Sequence, residues 1–322
     1  MNDKSLVYAV KHKNCDIVKN SSSGGLFTAL SDAFFREGNA VASCIYNYKT
    51  DQVEFKIYED SETRDSARGS KYIQASIKNG FKDVLAWLNS NPNRKLLAFG
   101  TGCQMEGLRL YLEAKKLRDR VLIIDIICHG ATSPGLWQKY ITYTDIRGKI
   151  EYLSFKDKRN GWHNPTVFAK VSGEEISIKD FSEWFYGQWA IRESCYKCPF
   201  TKIDRNTDIT IGDYWGIEGV MPDFADPMGV SLLLLHSDRG KEVFDKIKDS
   251  IDYRKSNHKD CLQPRLISPA ERPKDRETFW NDVNDKGLDY CSKNYKEPVV
   301  IIPLWRRVAQ KVKSGIKKLL HK

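Results

Sequence analysis

KLLAFGTGCQMEGLRLYLEAKKLRDRVLIIDIICHG, residues 95–130, decides the architecture. Lys95 to Phe99 is a short buried-strand pattern, and Gly100-Thr101-Gly102-Cys103 turns into a helix from about Gln104 to Leu117. Val121 to Ile127 is a second strand, ending at Cys128-His129-Gly130. Strand, helix and strand make a βαβ unit, whose two strands run parallel because the helix returns the chain to its starting edge. Cys103 and Cys128 then follow the carboxyl ends of neighbouring strands, roughly 4.8 Å apart. That edge of an open sheet is where ligands usually bind.

Working outward, Ser21-Ser22-Ser23-Gly24-Gly25 opens a helical stretch with Leu26, Leu30, Ala33 and Phe34 on one face, and Gly38 is a fitting stop. No element is assigned before it. Residues 40–48 and 53–60 read as strands, and 77–89 as an amphipathic helix. Ser133-Pro134 is a helix start, with serine at the cap and proline in the first turn. From 150 to 178 the pattern is β-like, around a basic loop at Lys156, Lys158 and Arg159. An aromatic helix at about 180–192 leads into Cys195-Tyr196-Lys197-Cys198. Residues 208–217 and 230–236 read as strands and 240–251 as a helix, while 252–302 shows weak periodicity and receives no element. The expected fold is α/β: a mixed sheet flanked by helices, with a β-rich insertion and a C-terminal amphipathic helix. One domain spans 1–260, with the insertion at about 150–178, followed by an irregular extension at 261–302 and a basic tail at 303–322.

The net charge of +10 suggests nucleic acid until it is localised. Arg306, Arg307, Lys311, Lys313, Lys317, Lys318 and Lys322 supply seven of those charges, and Pro303–Lys322 holds no acid. A basic groove across the body is not expected, so nucleic acid is not an expected partner. Leu304, Val308, Val312, Ile316 and Leu320 recur every four residues, a stripe that suits peripheral contact with an anionic membrane or docking on the protein itself. The opening MNDKSLVYAVKHKNCD has no basic region followed by an apolar run, so no signal peptide is expected. No run of ~20 apolar residues is present. These features point to the cytoplasm, where the eight cysteines read better as metal ligands or reactive thiols than as disulfides.

Cys195-x-x-Cys198 is the spacing of a loop that wraps two thiolates around one centre. With Cys103 and Cys128 it gives four sulfurs. A four-cysteine zinc site satisfies the same count, and spacing alone leaves zinc and an iron–sulfur cluster equal. Structural zinc usually comes from two close pairs, whereas one pair plus two strand-end singles leans towards a cluster. A redox dithiol or buried packing are the plainer readings. A thiol nucleophile at Cys103 or Cys128 assisted by His129 is a further class. Cys15, Cys44, Cys261 and Cys291 have no partner at ligand spacing and are taken as structural.

Eight motifs, in order, resemble the coenzyme F420 hydrogenase/dehydrogenase β-subunit family. They are Ser22-Ser23-Gly24-Gly25, Gly69-Ser70-Lys71-Tyr72, Gly100-Thr101-Gly102-Cys103-Gln104, Cys128-His129-Gly130 with Ser133-Pro134, and Lys158-Arg159-Asn160-Gly161-Trp162. Then come Ser194-Cys195-Tyr196-Lys197-Cys198, Asp208 to Asp213 with Trp215-Gly216, and Gly229-Val230-Ser231-Leu232. They cover about residues 20–240. The resemblance implies an oxidoreductase that relays electrons between FAD and one [4Fe-4S] cluster held by Cys103, Cys128, Cys195 and Cys198. It also implies a redox carrier protein or a deazaflavin-type coenzyme as partner, with the substrate unidentified. Several bacterial relatives resemble proteins of exopolysaccharide synthesis. Gly102 stands where the family commonly has proline.

The flavin contacts implied are Ser22, Ser23, Gly24, Gly25, Gly69, Ser70, Lys71, Tyr72 and Asp213. The Ser-Ser-Gly-Gly turn opens a helix whose free N–H groups favour an anion, or is an ordinary serine cap. Lys71 reads either as a positive charge near the flavin N1 or as a solvated lysine. Asp208, Asp213 and Trp215 read as a pocket wall or a plain turn. Lys156, Lys158 and Arg159 read as an acid-attracting patch or a wet loop.

Overall fold

A computed structural model describes residues 5–296; the basic tail at 303–322 lies outside the described residues. Eight strands form one sheet in the order β11-β1-β10-β9-β5-β4-β2-β3. They are β1 (Leu6–His12), β2 (Ala40–Asn47), β3 (Gln52–Tyr58), β4 (Leu96–Thr101), β5 (Val121–Ile126), β9 (Ile209–Asp213), β10 (Ser231–Leu235) and β11 (Ile251–Ser256). The other three, β6 (Ile150–Asp157), β7 (Thr166–Val171) and β8 (Glu174–Ser177), form a separate antiparallel sheet. The mixed α/β architecture with its β-rich insertion is therefore as expected.

The core of the sheet is the parallel set β2, β4, β5 and β9, built around the βαβ unit. Thr101 pairs with Ile126, and Ile126 with Ile211, so three carboxyl ends are level. β10 enters and β1 leaves at the same edge, since Ser231 faces both Asp213 and Val10. Five chain crossings thus meet at one rim, which is where the site forms.

Both faces of the sheet are covered, which a parallel core requires because its strands are apolar on both sides. Helix α1 (Leu26–Arg36) buries Leu26, Ala29, Leu30, Ala33 and Phe34 against Val41, Leu97, Phe99 and Ile124. Helix α2 (Gly80–Ser90) and helix α3 (Gly102–Ala114) bury Val84, Leu88, Met105, Leu108 and Leu112 against Leu96, Ala98, Val121 and Ile123 on the other face. Helix α4 (Pro134–Tyr143) starts as expected, with the Ser133 hydroxyl accepting from the Gly135 N–H at 3.1 Å. Its Trp137 and Tyr140 join the small sheet and helix α5 (Lys179–Tyr186), whose Phe181 and Trp184 are fully buried.

Three regions depart from expectation. β1 lies between β10 and β11, although the sequence pattern assigns no element to the first twenty residues. The described part of the stretch 252–302, up to residue 296, is structured: β11 is an edge strand, and helices α7 (Arg276–Asp285) and α8 (Gly287–Asn294) bury Phe279, Val283, Leu288 and Cys291 in the core around Trp137. Helix α6 (Asp238–Ile247) begins two residues early, because the Ser237 hydroxyl caps it through the Gly240 N–H. No helix among the described residues is long and apolar enough to cross a membrane.

Candidate functional site

A cavity of about 550 Å³ opens at the rim where β1, β4, β5, β9 and β10 meet. That volume lies within the range of about 300–1,000 Å³ usual for small-molecule and cofactor pockets. Cys103, Cys128, Cys195 and Cys198 all line it. Cys103 is the second residue of α3, with the Thr101 hydroxyl 3.3 Å from its sulfur. Cys128 lies two residues past β5, and the Gly130 N–H donates to its sulfur at 3.4 Å. Cys195 lies in a 3-10 turn over Glu193–Lys197, and Cys198 caps its end. Burial pushes the Cys128 thiol up to about 12, and the other three cysteines add to that rise. Cys195 is raised for the same reasons, burial first, then Cys103 and Cys198. The four sulfurs therefore share one electrostatic environment. All eight cysteines are free of disulfides; Cys261 and Cys291 are buried, while Cys15 is exposed. Among the described residues no group of three His, Cys, Asp or Glu side chains could hold a metal ion.

The segment carrying Cys198 is fastened to the sheet at two points. Arg205 donates to Asp125 of β5 at 2.8 Å, both side chains being almost fully buried, and also to the Ile126 carbonyl. Phe200 leans on the start of α3, where a Cβ on Gly102 would lie 2.9 Å from the Phe200 Cβ. A side chain at 102 would push Phe200 away, so the glycine follows from the neighbour it meets.

The serine–glycine turn lines the same cavity. Gly25 is the N-cap of α1 at φ +91°, a conformation that favours glycine, and no side chain caps the helix. Ser22, Ser23 and Gly25 line the cavity. Gly24 lies behind them, its N–H donating to the Ser231 hydroxyl at 2.8 Å. The Ser22 and Ser70 hydroxyls are 3.0 Å apart, joining this turn to Gly69-Ser70-Lys71-Tyr72, all four of which line the cavity. Lys71 points its ammonium at the carbonyls of Ala67, Arg68 and Gly69, and burial draws it down to about 8. Tyr72 stacks on Phe185 at 4.2 Å between ring centres, with its hydroxyl 2.5 Å from that of Tyr186.

Asp213 and Trp215 also line the cavity. Asp213 accepts from Lys156 at 2.6 Å and from the Trp162 indole at 2.9 Å. Asp208 does not belong here: it sits just before the other end of β9, held by Arg118, Arg239 and Ser237. The basic loop divides as well. Lys156 lies over the Trp215 ring and lines the cavity, and Arg159 pairs with Asp157 and Glu175. Lys158, 4% exposed, is neither a wet loop residue nor an anion trap. It donates to the carbonyls of Val18, Ser23 and Met228 at 2.5, 2.8 and 2.5 Å, clamping the serine–glycine turn. His129 lines the cavity, and burial beside Arg265 and Lys156 lowers it to about 4, so the ring is neutral at pH 7. Arg205, Arg265, Phe200 and Phe185 carry no motif in the sequence that marks them as site residues. For Arg265 the available signal was Pro264, which begins a helical turn within the unassigned stretch.

The level strand ends with Cys103 and Cys128, the turn with Cys195 and Cys198, an uncapped helix start and aromatic walls thus meet around one cavity in an open α/β sheet. The family model for the C terminus of the coenzyme F420 hydrogenase/dehydrogenase beta subunit, which matches residues 93–259, takes in just over half of the chain, and the chain belongs to that family. An uncharacterised protein of Nostoc sp. is 22% identical over 223 residues, 65% of this chain and 51% of that protein. The chain thus spans about half the length of the curated relative it matches. In the solved, xenon-derivatised F420-reducing [NiFe] hydrogenase complex from Methanosarcina barkeri, one chain matches with a TM-score of 0.54 at 16% identity. The match covers 89% of both chains and is a likeness of fold.

Proposed function

We propose that the protein is an oxidoreductase that holds a [4Fe-4S] cluster through Cys103, Cys128, Cys195 and Cys198 and an FAD along the wall from Ser22 to Tyr72. The observation that carries this reading is the convergence of four thiols, from three separate chain segments, on the cavity that the serine–glycine turn also lines. A single zinc ion with Zn–S bonds of about 2.3 Å needs its sulfurs in close contact. The described residues contain no such grouping, so the reading rests on the four thiols lining one cavity rather than on preformed metal geometry. A nucleophile at Cys128 is disfavoured, because burial pushes that thiol up to about 12 and leaves almost no thiolate at pH 7.

When bound, the flavin would supply exchange between a hydride and single electrons, and the cluster would supply one-electron transfer. The protein's own contributions are binding and orientation. The uncapped N-terminus of α1 offers N–H groups to an anionic or polar edge of the ligand. Tyr72 and Trp215 line the cavity, each held by a stacked aromatic neighbour. Lys156 is held by Asp213 and keeps a positive charge at the wall. Neutral His129 can accept or donate a hydrogen bond without adding charge. A redox carrier protein or a deazaflavin-type coenzyme is the proposed electron partner. A reducing, cytoplasmic setting is part of the proposal, since unpaired cysteines persist there. For the sequence of the tail we propose contact with an anionic membrane surface; deleting 303–322 should abolish binding to anionic vesicles, and undiminished binding rejects that role.

The test is electron paramagnetic resonance of anaerobically prepared, dithionite-reduced protein, together with the corresponding Cys→Ser variants. A cluster signal that is lost or altered in each of the four variants supports the reading. A signal unaffected by all four, or a colourless protein containing zinc, refutes it.

A further inference from the structure

The stretch after β11 brings a cation into the cavity from outside the region matched by the family model, 93–259. Gln263 donates its side-chain N–H to the Asp213 carbonyl at 2.9 Å, fixing one end of the stretch to β9. Ala270 is buried with Phe185 and Ile191, fixing the other end beside Cys195. Between these ties, the short helix Pro264–Ile267 turns Leu266 into the core with Val7 and Ala9, and places Arg265 at the cavity wall, 9% exposed.

Arg265 Nη1 donates to the Pro269 carbonyl at 3.1 Å, but its Nε is buried with no hydrogen-bond partner. Burying a charged donor with no acceptor is strongly unfavourable, so such a group asks for an anion. No carboxylate among the described residues forms an ion pair with Arg265. Asp213, the acid at this wall, is already matched by Lys156. The groups that act electrostatically on Arg265 are Cys128 and Cys198, which would carry negative charge only as thiolates holding a centre.

We propose that Arg265 is the counter-charge of the cysteine-held centre, a positioning residue that sets its redox potential. The proposal rests on the reading of the four cysteines as cluster ligands. Four thiolates leave such a centre with net negative charge, and adding an electron makes it more negative. A fixed guanidinium beside two of the four sulfurs favours the reduced state and raises the midpoint potential. Because Arg265 comes from the C-terminal stretch, that stretch forms part of the redox site rather than an appendage to it.

The experiment compares wild type, Arg265→Lys and Arg265→Gln, all anaerobically prepared full-length protein. Iron per chain, circular dichroism and the midpoint potential from a spectroscopic titration are measured on each. The expected result is a more negative midpoint in Arg265→Gln, with Arg265→Lys nearer wild type. Iron lost from Arg265→Gln but kept by Arg265→Lys also supports a requirement for positive charge. An unchanged midpoint in an iron-replete Arg265→Gln overturns the proposal. So does an equal change, or an equal loss of iron, in both variants. Wild type without iron would instead sink the cluster reading itself, so the two failures are distinguishable.

Discussion

Replacing Arg205 with methionine would leave the Asp125 carboxylate, 0% exposed, without the guanidinium that sits 2.8 Å from it. Asp125 keeps the Thr210 hydroxyl, which donates to its other oxygen. Breaking a buried ion pair from one side typically costs about 3–5 kcal/mol, because a charge remains without compensation. Burial already holds the Asp125 carboxyl above its ordinary range, against the opposing pull of Arg205. Without Arg205 that carboxyl rises further and escapes part of the penalty by taking up a proton. The loss in Arg205→Met is therefore smaller at pH 5 than at pH 8. Urea denaturation at the two pH values measures this, with iron content followed in parallel because the same arginine anchors the segment of Cys198. Arg205→Met combined with Asp125→Leu removes both charges and should recover most of the stability, since apolar replacement of a buried pair is often neutral. A loss under about 1 kcal/mol in the single variant, or a double variant no more stable than the single one, would refute the clamp.

Lys158→Met leaves the Ser23 and Met228 carbonyls without the ammonium, while Val18 keeps the Ser21 N–H. At about 1–3 kcal/mol for each orphaned carbonyl, stability in urea should fall by about 2–6 kcal/mol, and an unchanged midpoint would contradict the assignment. Gly102→Ala forces a Cβ to within 2.9 Å of Phe200. Overpacking of this kind costs about 1–3 kcal/mol, so a thermal melt should drop by several degrees, and equal melting would remove the stated role of the glycine. Burial, chiefly, lowers His236 from 6.5 to about 4. The unfolded chain then binds a proton that the folded one refuses, so this group makes stability fall as pH drops from about 6.5 to 4. His236→Gln should flatten that limb of the stability profile; a parallel profile in the variant would show that the histidine does not contribute.

The central βαβ unit was legible because five apolar residues in β5 and a helix of regular period leave little choice of structure. Cys103 and Cys128 follow directly from its strand ends. β1 was not legible: LVYAVKH is short, mixes buried with half-exposed positions, and has no turn signal before it. It becomes a strand because β10 and β11 supply partners from residues more than two hundred positions away. β11 buries only Ile251 fully, so it shows no alternation to read. Helices α7 and α8 present thin apolar stripes whose partners, Trp137 and Trp184, lie far upstream. Lys158 stands in a run that reads as solvated, and only the three carbonyls folded around it show otherwise. Asp208 and Asp213 looked like one wall in sequence, yet a strand carries them to opposite edges of the sheet. Arg265 carries no periodic or motif signal, and its place at the site follows from the ties at Gln263 and Ala270.

The most direct measurement is the chemical analysis of iron and acid-labile sulfide in protein purified without exposure to oxygen. The account predicts about four irons and four sulfides per chain, dropping together when any one of Cys103, Cys128, Cys195 or Cys198 is changed to serine. Protein free of iron, or holding one equivalent of zinc bound by the same thiols, would contradict it.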